Sequence, residues 1–276
     1  MYITVNGVRL AYRERGRDRP STLLLIHGFP LDHRMWDAQS VGLADQAHVI
    51  APDLRGFGRS VAAVAGPLTM DQHADDLAGL LDALKIGRAV VAGLSMGGYI
   101  ALAFWRRHRP RVQALVLADT RAEADAPAAR ANRDAAAAKV RAAGVAAIAE
   151  DMLPRLLAPA NLARPRLAER LRAMMVEQPV ETVSAALAGL RDRPDSRPTL
   201  PTITAPTLVL VGEHDVLTPP ADAAALAAAI PAARLVVVPA AGHMSPLENP
   251  RAFNAAVRTF LREIGQAESD LGVSAQ

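Results

Sequence analysis

The chain has 276 residues, 51% of them apolar and 21% charged, enough to bury one large core or a core carrying an inserted subdomain. It has no cysteine, which excludes disulfide scaffolds and cysteine-ligated metal centres and requires no oxidising compartment; the default expectation is cytoplasmic. The formal net charge is only +3, with acidic residues interspersed among the arginines, which argues against a nucleic-acid partner. In chain order, the opening stretch MYITVNGVRLAYRERGRD lacks the basic, apolar and small-residue succession of a signal peptide. No run approaches the roughly 18 apolar residues of a membrane helix. Aliphatic and β-branched runs at 3–5, 8–12, 23–26, 49–51, 90–92, 115–118, 208–211 and 235–238 predict eight strands. From the third onward they lack period-two alternation, as strands covered on both faces do, and helical patterns at 70–84, 98–108, 219–229 and 250–264 separate or follow them. That order predicts a mostly parallel, doubly wound sheet. Between 121 and 198 the alternation stops, and Ala/Arg/Leu-rich sequence is interrupted by Pro127, Pro154, Pro159, Pro165 and Pro179. We read this stretch as a helical cap inserted into a core made of 1–120 and 199–264, with RDRPDSRPTLPTITAP as the return linker and a frayed tail over 265–276.

In VVAGLSMGGYI, Ser95 stands among Gly93, Gly97 and Gly98 where a strand becomes a helix. Glycines there make room for a sharp turn that lifts the hydroxyl clear of the backbone and above a helix N-terminus, where amide groups favour an anion. The competing reading is a helix cap in a glycine-rich turn. The choice turns on whether the chain also supplies a base and an acid to orient it, because an unaided hydroxyl is a poor nucleophile. Among the 7 histidines, His243 in VVVPAAGHMSPLENP follows a strand and precedes a helix, whereas His73 and His108 lie within helical patterns and His48 introduces a strand. Asp215 in TLVLVGEHDVLTPP holds the corresponding loop after the preceding strand, with Glu213 and His214 as neighbouring competitors and capping of the next helix as its alternative role. Two backbone amides complete the pattern as oxyanion donors: that of Met96, next to Ser95, and that of Phe29 in LLLIHGFPLDHRMW, where His27-Gly28 lets the backbone turn.

Taken together, HGFP at 27–30, DLRGFGRS at 53–60, GLSMGG at 93–98, GEHDVLTPP at 212–220 and GHMSPLENP at 242–250 resemble the α/β-hydrolase fold over about residues 1–264. Within it the chain is similar to the branch of carboxylesterases, 3-oxoadipate enol-lactonases and cofactor-free perhydrolases. The resemblance implies an α/β architecture, an eight-stranded sheet with a helical lid, and a Ser95/His243/Asp215 triad. A serine rather than an aspartate at the elbow disfavours haloalkane dehalogenases and epoxide hydrolases. The implied activity is hydrolysis of small, moderately apolar carboxylic esters through an acyl-enzyme on Ser95, without metal or organic cofactor. Lactone hydrolysis, perhydrolysis and carbon–carbon bond hydrolysis use the same triad, and a noncatalytic ligand-binding receptor can share the fold. Phe29, Trp36, Met96 and Tyr99, with lid residues Met152, Leu153, Met174 and Met175, are expected to line an apolar cleft holding few fixed charges. Arg121, in LADTRAEAD, is the exception, placed either for a substrate carboxylate or for a salt bridge with Glu123 or Asp125. The expected partner is a small ester or lactone, not a membrane or nucleic acid, and the sequence carries no sign of oligomeric state.

Overall fold

Strands β1 (Tyr2–Val5), β2 (Val8–Arg15), β3 (Thr22–Ile26), β4 (His48–Pro52), β5 (Ala89–Leu94), β6 (Val112–Ala118), β7 (Thr207–Gly212) and β8 (Arg234–Val238) form one eight-stranded sheet. The protein is described here from a computed structural model covering residues 1–60, 62 and 64–270. The sheet order is β1-β2-β4-β3-β5-β6-β7-β8, with β1–β2 and β2–β4 antiparallel and the remaining pairs parallel. Because β3 lies between β4 and β5, the connections leaving it and returning to it run in opposite directions. The carboxyl ends of β3 and β5 therefore open a crevice of the kind that binds ligands in such sheets.

Every residue of β3, β4, β5 and β7 is buried, which is why their sequences show no alternation. The pleat divides them between two apolar layers. Leu24, Ile26 and Val91 pack with Leu80 and Phe104, while Leu23, Leu25 and Val90 pack with Trp36, Phe253 and Phe260.

The helices are α1 (Asp37–Gly42), α2 (Met70–Ala83), α3 (Met96–His108), α4 (Pro127–Ala143), α5 (Ala146–Leu156), α6 (Pro159–Leu162), α7 (Pro165–Val176), α8 (Val180–Arg191), α9 (Pro220–Ala229), α10 (Ser245–Glu248) and α11 (Pro250–Asp270). Thr69 caps α2, its Oγ1 accepting the Gln72 amide at 3.1 Å. Helices α4 to α8 fill the stretch between β6 and β7, and its prolines act mainly as starts rather than breaks. Pro127, Pro159 and Pro165 open α4, α6 and α7 where a missing N–H costs nothing, and Pro179 precedes α8. Pro154 alone of these five lies inside an α-helix, near the end of α5. Helix α11, anchored by the buried stripe of Phe253, Val257, Phe260 and Ile264, continues to Asp270, past the point where the sequence places a frayed tail. The rest of that tail, 271–276, lies outside the described residues. Among the described residues no helix is long and apolar enough to cross a membrane.

His73, on the buried face of α2, has no hydrogen-bond partner at either ring nitrogen among the described residues. Burial, with lesser repulsion from His27 and Arg55, pushes its pKa down to about 3. Its neutral form is thus the folded form, and the associated stability is fully present above the unfolded-state pKa of about 6.5 and is lost as pH falls from there toward 3. The slope reaches about 1.4 kcal/mol per pH unit. Urea midpoints measured from pH 7 down to 4.5 are expected to fall more steeply for the wild type than for His73→Leu; parallel slopes would contradict this reading.

Candidate active site

Ser95 joins β5 to α3 with φ 55° and ψ −114°, a left-handed conformation that a non-glycine residue adopts at a cost of about 1–3 kcal/mol. Two contacts hold it there: its amide donates to the Ala118 carbonyl and its own carbonyl accepts the Thr120 Oγ1 hydroxyl, both at 2.9 Å. The turn is possible only because two residues lack side chains. A Cβ on Gly93 would lie 2.0 Å from the Gly97 carbonyl oxygen, and one on Gly97 would lie 2.2 Å from that of Ile26.

His243 and Asp215 arrive from the loops after β8 and β7. The two are joined at 2.8 Å between His243 Nδ1 and Asp215 Oδ2, and both side chains are almost fully buried. Asp215 also accepts the Leu217 and Thr218 amides on Oδ1, at 2.8 and 3.0 Å, and the Thr218 hydroxyl on Oδ2 at 2.6 Å. Burial pushes its pKa up, but the hydrogen bond and charge of His243 and the Thr218 donors outweigh burial and hold the carboxyl below the usual carboxylate range. With Asp215 accepting, His243 carries its proton on Nδ1 and keeps Nε2 free to accept. The competitors near Asp215 face elsewhere: Glu213 is exposed and accepts the Ala240 amide, and His214 is exposed beside it. Of the other histidines, His48 pairs with Glu14 at 2.6 Å and His108 with Asp75 at 2.8 Å.

Phe29 and Met96 flank Ser95 in the same cavity, and among the described residues neither backbone amide has an acceptor. The Phe29 loop is braced from below. Asp53, fully buried, accepts the His33 amide, His33 Nδ1 and the Arg59 amide at 2.8, 2.6 and 2.9 Å, and His27 Nε2 accepts the Leu54 amide at 3.0 Å. Asp32, His33 and Asp53 have metal-ligand spacing, but Asp32 is already engaged by Arg34 and Gln178, and Asp53 by these amides. The group therefore reads as a loop brace. Arg55 reaches Asp76 at 2.6 Å and belongs to the same scaffolding.

The cavity, about 380 Å³, is lined by Phe29, Ser95, Met96, Tyr99, Thr218 and His243 on the sheet side and by residues of α4, α5 and α8, Met152 among them, on the other. Four expected lining residues are elsewhere. Trp36 is fully buried against Phe253, ring centroids 5.9 Å apart, and Met174, with Leu153 and Met175, packs in the same apolar layer across the sheet from Met96 and Tyr99. The expectation of few fixed charges also fails. Arg121, Arg133, Arg155 and Arg193 line the cavity against Asp125 and Asp151, leaving it electropositive. Arg121 pairs with Asp222 at 2.9 Å and donates to the Leu217 carbonyl, rather than bridging to Glu123 or Asp125. Asp125 instead binds Arg193 at 2.6 Å and Arg133 at 3.1 Å, and the Arg193 guanidinium lies 4.3 Å over the Tyr99 ring. Arg155 has no ion-pair partner among the described residues.

Residues that the sequence did not single out complete the surroundings. Thr218 donates to Asp215. Asp119, fully buried after β6, accepts the Gly212 amide and the Ser245 hydroxyl; burial first, and then the Asp215 charge, push its pKa well above the usual carboxylate range. Glu248 accepts the amides on either side of His243. Asp119, directly after the LVLA run, and Glu248, five past the glycine-preceded histidine, were visible as letters, but their partners lie across the fold.

The eight-stranded sheet and its serine-bearing turn are those of a class of hydrolases. The alpha/beta hydrolase fold family model matches residues 21–250, and the chain belongs to that family. Within it the chain lies in the esterase and enol-lactonase branch. The 3-oxoadipate enol-lactonase 2 of Acinetobacter baylyi is 32% identical over 265 residues, covering 94% of this chain and 96% of that protein. Among solved structures, a thermophilic esterase from Thermogutta terrifontis, malate bound, matches with a TM-score of 0.92 and 44% identity over 96% of this chain and 99% of its own. The enol-lactonase from Burkholderia xenovorans LB400 matches with a TM-score of 0.89 and 35% identity over 95% and 100%.

Because the Arg193 and Asp125 side chains are both buried, removing the acid strands a cation in the protein interior. Asp125→Ala is expected to lower unfolding free energy by about 3–5 kcal/mol in urea titration. A loss below about 1 kcal/mol would mean that the pair is solvated in solution.

Proposed function

We propose that the protein is a serine hydrolase of small carboxylic esters working through an acyl-enzyme on Ser95. The observation that carries this is the convergence on one cavity of Ser95, held in a strained turn, and of His243 tied by Nδ1 to an ionised Asp215. Ser95 Oγ attacks the ester carbonyl as its proton passes to His243 Nε2, and Asp215 stabilises the imidazolium through the Nδ1 hydrogen bond. The Phe29 and Met96 amides receive the negative oxygen of the tetrahedral intermediate; one such donor is typically worth about 2.7–4 kcal/mol. The alcohol leaves with the proton from His243, and water repeats the sequence to free the acid. In this reading residues 121–198 act as the cap that roofs the cavity and screens the acyl-enzyme.

A second reading, a lactone bearing a carboxylate, is favoured by the cavity's arginines, and by Arg155 above all because it has no counter-ion among the described residues. The relatives named as enol-lactonases support it, as the esterase relative supports the first.

Ser95→Ala is expected to lower kcat for p-nitrophenyl acetate and butyrate by at least about a thousandfold. Turnover close to wild type would remove the assignment. For the second reading, the selectivity of kcat/KM for 3-oxoadipate enol-lactone over p-nitrophenyl butyrate is expected to fall about tenfold in Arg155→Gln, the size of one charge-assisted hydrogen bond. An equal fall on both substrates would exclude a carboxylate contact at that arginine.

A further inference from the structure

The loop that carries His243 has no regular structure of its own, yet its histidine is held with its side chain almost entirely buried. Its immediate neighbours are held by one carboxylate. Glu248 Oε1 accepts the Gly242 amide at 2.8 Å and the Met244 amide at 3.1 Å, the residues on either side of His243. Its other oxygen faces the opposite way, toward the helical insertion: Oε2 accepts the Ala158 amide and Asn161 Nδ2, both at 2.8 Å. The carboxylate is buried and has four donors, two on each oxygen.

Three further contacts join the same two segments. The Met244 amide also donates to the Leu156 carbonyl at 3.1 Å, and Asn161 Nδ2 donates to the Ala240 carbonyl at 2.8 Å. Gly242 lies so close that a Cβ there would come within 2.6 Å of the Ala158 nitrogen. Leu156 is itself a cavity residue, at the end of the helix that contributes Ile148, Asp151, Met152 and Arg155 to the roof. The roof of the cavity and the backbone flanking the base are thus joined through one side chain.

We propose that Glu248 is a positioning residue: its carboxylate holds His243 in register and makes that register depend on the docking of segment 156–161. This rests on the reading of His243 as the base. A glutamine cannot replace the carboxylate, because it offers one acceptor oxygen and turns an NH2 group toward a pair of N–H donors. Either the histidine side or the roof side of the clamp is then lost, with both segments otherwise intact. Asn161→Ala removes one of the two roof-side donors, leaving the Ala158 amide on Oε2, and with it the bond to the Ala240 carbonyl.

The test compares wild type, Glu248→Gln, Asn161→Ala and the double variant in p-nitrophenyl acetate hydrolysis, and follows by proton NMR the far-downfield Nδ1–H of His243 that its bond to Asp215 shields from exchange. Glu248→Gln is expected to lower kcat about 10- to 100-fold with KM within about threefold, the effect of a displaced base rather than of lost binding. Asn161→Ala is expected to lower kcat less, and the double variant to fall well short of the product of the two effects, because both changes weaken one tie. The Nδ1–H signal should broaden or shift in each variant. If Glu248→Gln does not fold, Asn161→Ala decides alone. The proposal is overturned if the folded variants lose thermal stability but keep kcat within twofold of wild type and the wild-type Nδ1–H signal, or if the two effects multiply. The NMR signal needs no substrate, so it tests the clamp even where the wild type shows no Ser95-dependent hydrolysis, an outcome that would count against the ester hydrolase reading and leave the clamp standing.

Discussion

The contact on which the site depends is backbone against backbone beneath Ser95. At 2.0 and 2.2 Å from carbonyl oxygens, the positions a Cβ would take on Gly93 and Gly97 admit nothing larger than hydrogen. Only with both glycines present can β5 run directly into α3 while leaving Ser95 at a positive φ, its carbonyl bound by Thr120 and its amide by Ala118. The same closeness brings the start of α3 against the end of β3, so that Phe29 and Met96 are neighbours across the crevice that the sheet order opens. A strained turn persists only where its surroundings over-determine it, and here the surroundings are the centre of a fully buried sheet.

Around this fixed point the loops after β6, β7 and β8 each bring a buried carboxyl group, and the three environments differ. Asp215, given four donors including His243, is held ionised. Asp119, itself at a positive φ of 45°, is buried beside that charge and pushed toward the neutral form while it joins Gly212 to Ser245. Glu248 spans from the histidine loop to the helical insertion. Three acids of similar chemistry thus do separate things because burial and donors differ at each, and all three bind residues at the ends of β7 and β8 that surround one imidazole.

Much of this was legible in the sequence for a plain reason: residues covered on both faces must be apolar at nearly every position, so the central strands stood out as apolar runs, while the partly exposed β1, β2 and β8 showed only as short aliphatic stretches. The serine turn was legible because the close approach of backbones demands glycine, and the acid and histidine because each follows a strand. The cavity was not legible. An apolar side chain looks the same whichever layer it joins, and Trp36 and Met174 went to the layer across the sheet. Arginine pairing was hidden as well, since Arg193 meets Asp125 and Arg121 meets Asp222 only through the fold. Glu248 escaped because two of its donors come from residues 158 and 161, far away in sequence, and the backbone amides that it binds leave no pattern in the letters.

The claim at the centre of this account is that Ser95 forms the covalent bond. It is tested most directly by reacting the protein with a fluorophosphonate and following intact mass, the modified peptide and residual p-nitrophenyl butyrate hydrolysis together. One phosphonyl group per chain is expected, located on Ser95, with activity lost in proportion to labelling and no labelling of Ser95→Ala. Full hydrolytic activity with Ser95 fully phosphonylated, or activity lost through a label on another residue, would contradict it.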